Sequence, residues 1–382
     1  MRLHHTGLLL ALFTLGCVGA LGDTAGTEIP ECGDDAIVLG EEGAFSVQSF
    51  DMDLVWDNSV GVSRGESVTI ALPSDTSSVA ATVEMTGVET GFGLVALDGE
   101  AFIDVGLADE SPGGWWSAPY YHWGVLGGTV VLPITPDTTP DGSCLVLQPA
   151  AFEEGAATLH VVSRRFDPGQ GQVDLNIVVV GDTELYQEDL DDALERMDEV
   201  WANGGGPAVG DVTLYTTDGS GFIAYDDSNA LRSLAIDGSS QAMNLFIIQD
   251  YSDESGTLGE AAGIPGPVGL HGMDGAGVIV AVDGHYWGNS LDTQTMGETM
   301  AHEVGHQMGL FHTTESDGSR TESLDDTPNC PASADDGDGY FTAEECADYD
   351  GANFMFWVAG SFAQDQVTDS QAMVLSRSPI TR

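Results

Sequence analysis

The 382-residue chain reads as an all-β sandwich followed by an α+β region. Two patterns predict this. Residues 31–163 carry short alternating runs separated by Gly, Pro, Asp and Ser clusters, the spacing of a sandwich of about 130 residues. Beyond residue 172, strand-like runs alternate with helical periodicity. A hydrophobic content of 42% with 50 glycines fits a folded, loop-rich chain of about two domains.

Residues 1–20 read as an export signal, with Arg2 ahead of an apolar stretch at 7–15 that is too short to span a bilayer. Thr14-Leu15-Gly16-Cys17 resembles a bacterial lipobox, which makes Cys17 the expected lipidation site and the cell envelope the destination. Cleavage after Ala20 is the competing reading and gives an extracellular protein. Residues 21–163 form the predicted β-sandwich, with strands near 67–72, 80–85, 128–134 and 157–162. It carries no evident chemistry, and Trp115-Trp116 and Tyr120-Tyr121 read as core or rim aromatics. An accessory or pro-domain role is expected. Residues 164–172 read as a linker, and its pair Arg164-Arg165 is a candidate site for an activating cut. Strands are then expected at 173–180, 211–216 and 244–249, and helices at 184–201, 293–310 and 365–376. The apolar run at 277–282 reads as the strand beside the functional site.

Charge bounds the partners. Sixty-two acidic residues against nine arginines and no lysine give a formal charge of −53. Such a chain repels phosphates, which excludes nucleic acid as a partner, and it suits surroundings where salt screens self-repulsion. Setting Cys17 aside leaves four cysteines, an even number in an exported chain, so two disulfides are expected. Three connectivities satisfy that count. Cys330 with Cys346 is the natural local pair, which leaves Cys32 with Cys144; a Cys32 thiol acting as a latency switch is a weaker reading.

The run from His302 to His312, HEVGHQMGLFH, is the most specific chemistry in the chain. On a helix His302 and His306 lie one turn apart on the same face, and Glu303 can reach a metal-held water. A third imidazole ten residues on would lie about 15 Å along a straight helix. Gly309 removes that obstacle, because glycine accepts the left-handed conformation that ends a helix and lets His312 return. Three nitrogen ligands with one open position define a catalytic zinc site rather than a structural one. His271 and His285 are expected to be non-ligands.

This run resembles the metzincin zinc-peptidase pattern HExxHxxGxxH. The segment that follows, with Asp326-Thr327-Pro328-Asn329-Cys330, Cys346 and Asn353-Phe354-Met355-Phe356-Trp357, is most similar to the pappalysin branch, that of ulilysin and pregnancy-associated plasma protein A. The resemblance implies a metzincin-like catalytic domain over residues 173–382, with a zinc helix, a lower lobe closed by a turn at Met355, and an edge strand at 277–282 that pairs with peptide substrate. Met355 would pack under the metal without ligating it. Many relatives carry a tyrosine two residues after that methionine; this chain has Trp357, so no tyrosine role carries over. The resemblance implies an endopeptidase in which Glu303 serves as general base and then acid. A zinc- and calcium-binding surface protein with an inactive site is the alternative, and a non-peptide zinc hydrolase a further one. Calcium enters because Asp336, Asp338 and Glu345 occupy positions three, five and twelve of an EF-hand-like loop whose first position is Ala334.

Overall fold

A computed structural model describes residues 29–34, 36–39, 44–104, 121–122, 127–132, 140, 142–165, 169–234, 241–254, 256–322 and 324–382. The export signal with Cys17, the tryptophan pair and Tyr120 lie outside the described residues. Among the described residues, no helix is long and apolar enough to cross a membrane.

The first part is all β. Its strands are β1 (Ile37–Val38), β2 (Phe45–Asp57), β3 (Val62–Arg64), β4 (Val68–Ala71), β5 (Thr76–Glu84) and β6 (Thr90–Leu97). They continue with β7 (Glu100–Asp104), β8 (Tyr121–His122), β9 (Gly128–Leu132), β10 (Cys144–Ala151) and β11 (Gly155–Arg165). The order is β1-β4-β10-β3-β2-β11-β5-β9-β8, with β6 pairing β10 and β7. β2 pairs β11 through Phe45–Leu54 and then β3 through Val55–Asp57, so one long strand joins the β10 layer to the β11 layer. Period-two alternation sends Val79, Ala81 and Val83 of β5 and Leu159 and Val161 of β11 into a core shared with Phe92 and Val95 of β6 and Leu145 and Leu147 of β10. The Cys32–Cys144 disulfide ties the start of this region to β10.

The second part holds a five-stranded sheet in the order β13-β12-β15-β18-β17, from β12 (Gln172–Val179), β13 (Ala208–Thr216), β15 (Met243–Ile248), β17 (Gly259–Ala261) and β18 (Val278–Ala281). β17 alone runs antiparallel, and it forms the edge. Short pairs complete the strands: β14 (Phe222–Ile223) with β16 (Asp250–Tyr251), and β19 (Tyr286–Trp287) with β20 (Ser290–Leu291). Both faces of the sheet are covered, which explains the unbroken apolar runs at 245–248 and 278–282. Leu175, Ile177, Leu245, Ile247, Val278 and Val280 pack against α1 (Gln187–Asn203) and α3 (Thr293–Met308). The alternate residues Val178, Phe246, Ile248, Ile279 and Ala281 pack against Leu231 of α2 (Ser228–Arg232) and Tyr251. Buried Arg196 of α1 joins the two helices, its Nη2 lying 2.5 Å from Glu298 of α3 and 2.9 Å from Asp365. Helix α4 (Asp369–Ser376) closes the lower part through a capping box at Thr368 and Gln371.

Two expectations need correction. The edge beside the site is β17, not the run at 277–282, because β18 is paired on both sides. The pair Arg164-Arg165 is not linker but the end of β11. Arg164 is 2% exposed, and its guanidinium donates to the Thr381 carbonyl at 2.6 Å and the Ser376 carbonyl at 3.2 Å. Arg165 pairs with Asp75 at 2.6 Å. The burial of Arg164 and the strand pairing of both residues argue against a cut there. The outward residues Ala80, Val131 and Val162 also join the core around α3, with Val268 and Ile380. The β part therefore packs against the back of the second part.

Candidate metal centre

Asp292 opens α3 by accepting a hydrogen bond from the Thr295 amide at 3.1 Å. Gly309 closes it at φ +115°, and the Gly309 and Leu310 amides donate back to the His306 and Gly305 carbonyls, each at 2.9 Å. The chain reverses there, as the position of the glycine predicts. His312 comes back beneath the helix until its Nε2 stands 3.0 Å from that of His306. Ligand atoms of His302, His306 and His312 all lie within 4.8 Å of one another.

Each ring is oriented from its far side. Nδ1 of His302 bonds the Phe354 carbonyl at 2.7 Å, and Nδ1 of His306 bonds the Leu310 carbonyl at 2.7 Å. Nδ1 of His312 faces the Glu315 carboxylate at 3.1 Å. A carbonyl only accepts, so Nδ1 of His302 and His306 carries the proton and Nε2 keeps a bare lone pair. Burial, together with the neighbouring His312, holds His302 down at about 3, and burial with both neighbours lowers His306 well below the usual histidine range. Neutral imidazoles with lone pairs aimed at one point fit a zinc ion. Tetrahedral Zn–N bonds near 2.05 Å separate two nitrogens by roughly 3.3 Å, close to the spacing here.

Glu303 follows the first histidine and is 8% exposed. Burial pushes its carboxyl up to about 8, and the Glu260 charge adds to this; Arg232 and a hydrogen bond from the Ala261 amide act the other way. That amide belongs to the edge strand. Since the Leu258 carbonyl accepts from the Ala281 amide, alternation turns the backbone groups of Gly259 and Ala261 to the free edge. On the other face of β17, Glu260 Oε1 meets fully buried Arg232 at 2.7 Å, while Tyr251 Oη and Ser228 Oγ donate to its Oε2, each at 3.1 Å. Beside His302 and Glu303 opens a cavity of about 380 Å³, walled by Leu258, Thr299, Phe356, Trp357 and Val358.

The remaining sequence candidates fall as follows. Met355 is fully buried below α3, where a side chain at Gly305 would meet its Sδ. Trp357 donates its indole N–H to the Phe341 carbonyl at 2.5 Å. Cys330 and Cys346 form the second disulfide. His285 is buried between the Ala281 carbonyl and Thr299 Oγ1, and His271 bonds the Ala242 carbonyl, so neither joins the cluster. In the acidic loop, ligand oxygens of Asp335, Asp336 and Asp338 lie within 4.8 Å of one another. Glu345 is instead taken by backbone, accepting from the Asp336 and Thr342 amides, each at 2.8 Å. The residues 336, 338 and 345 are thus not assembled as one ligand set. Sequence reasoning missed β17, the Arg232–Glu260 pair and the amide network below Met355, none of which has a local signature.

Residues 233–375 match the family model of peptidase family M43, described as pregnancy-associated plasma protein-A. The match falls on the segment whose motifs carry the resemblance to the pappalysin branch. No curated protein matches the chain. Among solved structures, metalloproteinase-II from Bacteroides fragilis aligns at 18% identity and a TM-score of 0.28, over 40% of this chain and 47% of that one. Archaemetzincin from Methanopyrus kandleri aligns at 18% and 0.28, over 38% and 78% respectively. A structure titled as a chaperone–substrate complex aligns at 13% and 0.28, over 39% of this chain and 25% of that one. The chain thus spans less than half the length of two of these structures.

Proposed function

We propose that the chain is an exported zinc-dependent endopeptidase of the metzincin type. One observation carries the reading: His302, His306 and His312 bring ligand nitrogens within 4.8 Å of one another beside a buried carboxylate, with their Nδ1 atoms tied to acceptors. His302, His306 and His312 would hold the zinc. When bound, zinc supplies Lewis-acid activation of water and of the scissile carbonyl. The protein's own groups do the rest. The outward backbone groups of Gly259 and the Ala261 carbonyl receive an extended peptide as an added strand, which gives affinity without strong sequence preference. The cavity beside Glu303 accepts one substrate side chain. The Glu303 carboxylate takes the proton of the attacking water and returns it to the leaving amine nitrogen. Burial raises the proton affinity of Glu303 and the charge of a bound zinc would lower it again, which would leave the carboxylate free to act as base.

Met355 serves as the packed floor, and residues 21–163 as an accessory β domain ahead of the catalytic region from residue 173. Two disulfides support export into an oxidising compartment. The test is hydrolysis of casein or mixed peptides by the purified chain, with metal analysis, beside Glu303→Gln and a zinc chelator. Both treatments should abolish cleavage, with zinc retained in Glu303→Gln. Bound zinc without cleavage would leave a surface binding protein on a peptidase fold.

A further inference from the structure

A chain of buried amides runs from α4 to the first metal ligand. The side chains of Gln371 and Asn353 bond each other reciprocally: Asn353 Nδ2 donates to Gln371 Oε1 at 2.9 Å, and Gln371 Nε2 donates to Asn353 Oδ1 at 3.1 Å. Asn353 Oδ1 also accepts from the Met355 amide at 2.9 Å, so it spans the turn that carries Phe354. The Phe354 carbonyl is the acceptor for His302 Nδ1. From behind, Gln371 Nε2 donates to Glu322 Oε1 at 3.1 Å, and Thr327 Oγ1 donates to the same oxygen. Gln371 is fully buried, Asn353 is 3% exposed and Glu322 7%.

We propose that Gln371, backed by Glu322, is a positioning residue for the His302 ligand, setting zinc affinity through Asn353 and the Phe354 carbonyl. Both protons of the Gln371 amide are used, one on Asn353 and one on Glu322, so the amide has a single satisfied orientation. That orientation fixes the 353–355 turn, and the turn fixes the tautomer and tilt of the ring. A side chain on the last helix thereby acts on a ligand 69 positions earlier without touching metal or substrate. The inference rests on the zinc reading above.

The experiment is zinc titration of the metal-depleted full-length chain against a chromophoric chelator, with thermal unfolding of the metal-free forms alongside. Gln371→Leu removes both donors and should weaken zinc binding by about 10–100-fold, the usual effect of losing the support behind a metal-ligating histidine. Gln371→Glu should do the same, since it sets a second carboxylate against Glu322. The exchanged pair, E322Q with Q371E, restores the contact between the two side chains but not the donor to Asn353 Oδ1, so zinc affinity should stay low. Gln371 variants that bind zinc as tightly as wild type, with only the melting temperature changed, would overturn the proposal while leaving the zinc reading intact. If Gln371→Leu does not fold, the exchanged pair decides, and recovery of wild-type zinc affinity there overturns the proposal. A wild type that takes up no zinc would bring down the functional reading, and this inference with it.

Discussion

Gly259 sits where the edge strand and the proposed general base meet, and replacing it by alanine isolates the position of Glu303 from everything else. A Cβ added there would lie 2.6 Å from Glu303 Cγ, 2.9 Å from its Oε1 and 2.9 Å from Thr299 Cγ2. Ordinary contact begins near 3.4 Å, so the carboxylate must retreat by roughly 1 Å and give up the Ala261 amide. The three atoms nearest this Cβ belong to Glu303 and Thr299, not to a histidine. A 1 Å misplacement of a catalytic group costs about 10²-fold, or about 2.7 kcal/mol of transition-state stabilisation. Gly259→Ala should therefore lower kcat/KM on a peptide substrate by about two orders of magnitude. Zinc content should match wild type, and the melting temperature should shift by only a few degrees. Undiminished kcat/KM in a zinc-loaded variant would refute the idea that β17 sets the Glu303 carboxylate.

Three further outcomes follow from charge. Burial, with the charges of Asp326 and Asp350 nearby, raises the Glu322 carboxyl to about 7 from 4.5, so the folded state holds its proton more tightly than the unfolded state. Its contribution is fully present below about pH 4.5 and is lost as pH rises through 7, a span of about 3 kcal/mol at 1.36 kcal/mol per unit. Denaturant unfolding from pH 4.5 to 7.5 should show this slope in wild type and a flatter one in Glu322→Gln; parallel slopes would contradict it. Arg164→Met strips two donors from the carbonyls of Ser376 and Thr381 and should cost about 3 kcal/mol by urea unfolding, whereas a loss under about 0.5 kcal/mol would mean the β part docks without it. Raising salt from about 0.02 M to 0.5 M should raise the melting temperature, because it screens a charge of −53; an unchanged value would show that the acidic surface does not limit stability.

The clustering of the three histidines was legible because its geometry is local. Spacing of four on a helix and one glycine at its end fix where three rings point, and Gly309 does take the left-handed conformation. The edge strand was not legible. Gly259, Glu260 and Ala261 are too few to show alternation, and only pairing with β18 makes them a strand. Arg164 was misread for a related reason: adjacent arginines suggest solvent, while its acceptors lie 212 and 217 residues away. Spacing also misled in the acidic loop, where position twelve matches an EF-hand but the carboxylate caps backbone amides. Cysteine arithmetic left three pairings, and folding selects the two whose Cα atoms stand 5.6 and 5.4 Å apart.

The scarcity of cations gives the arginines a common logic. With nine against 62 acids, a surface ion pair does little to offset the net charge and contributes little stability. Three of the nine are instead withdrawn from water at junctions: Arg164 between the β part and the chain's end, Arg196 between α1 and α3, and Arg232 behind the edge strand. Arg232 and Arg196 each neutralise a carboxylate on an element that borders the site, Glu260 on β17 and Glu298 on α3. Without Arg232, Glu260 would stand as an uncompensated charge near Glu303 and drive its proton affinity higher still. Buried pairs are screened far less than surface ones, so the site keeps its internal balance in salt that quiets the acidic exterior. The arginines withdrawn to these junctions thus balance the carboxylates that border His302, Glu303 and His306 within a strongly acidic chain.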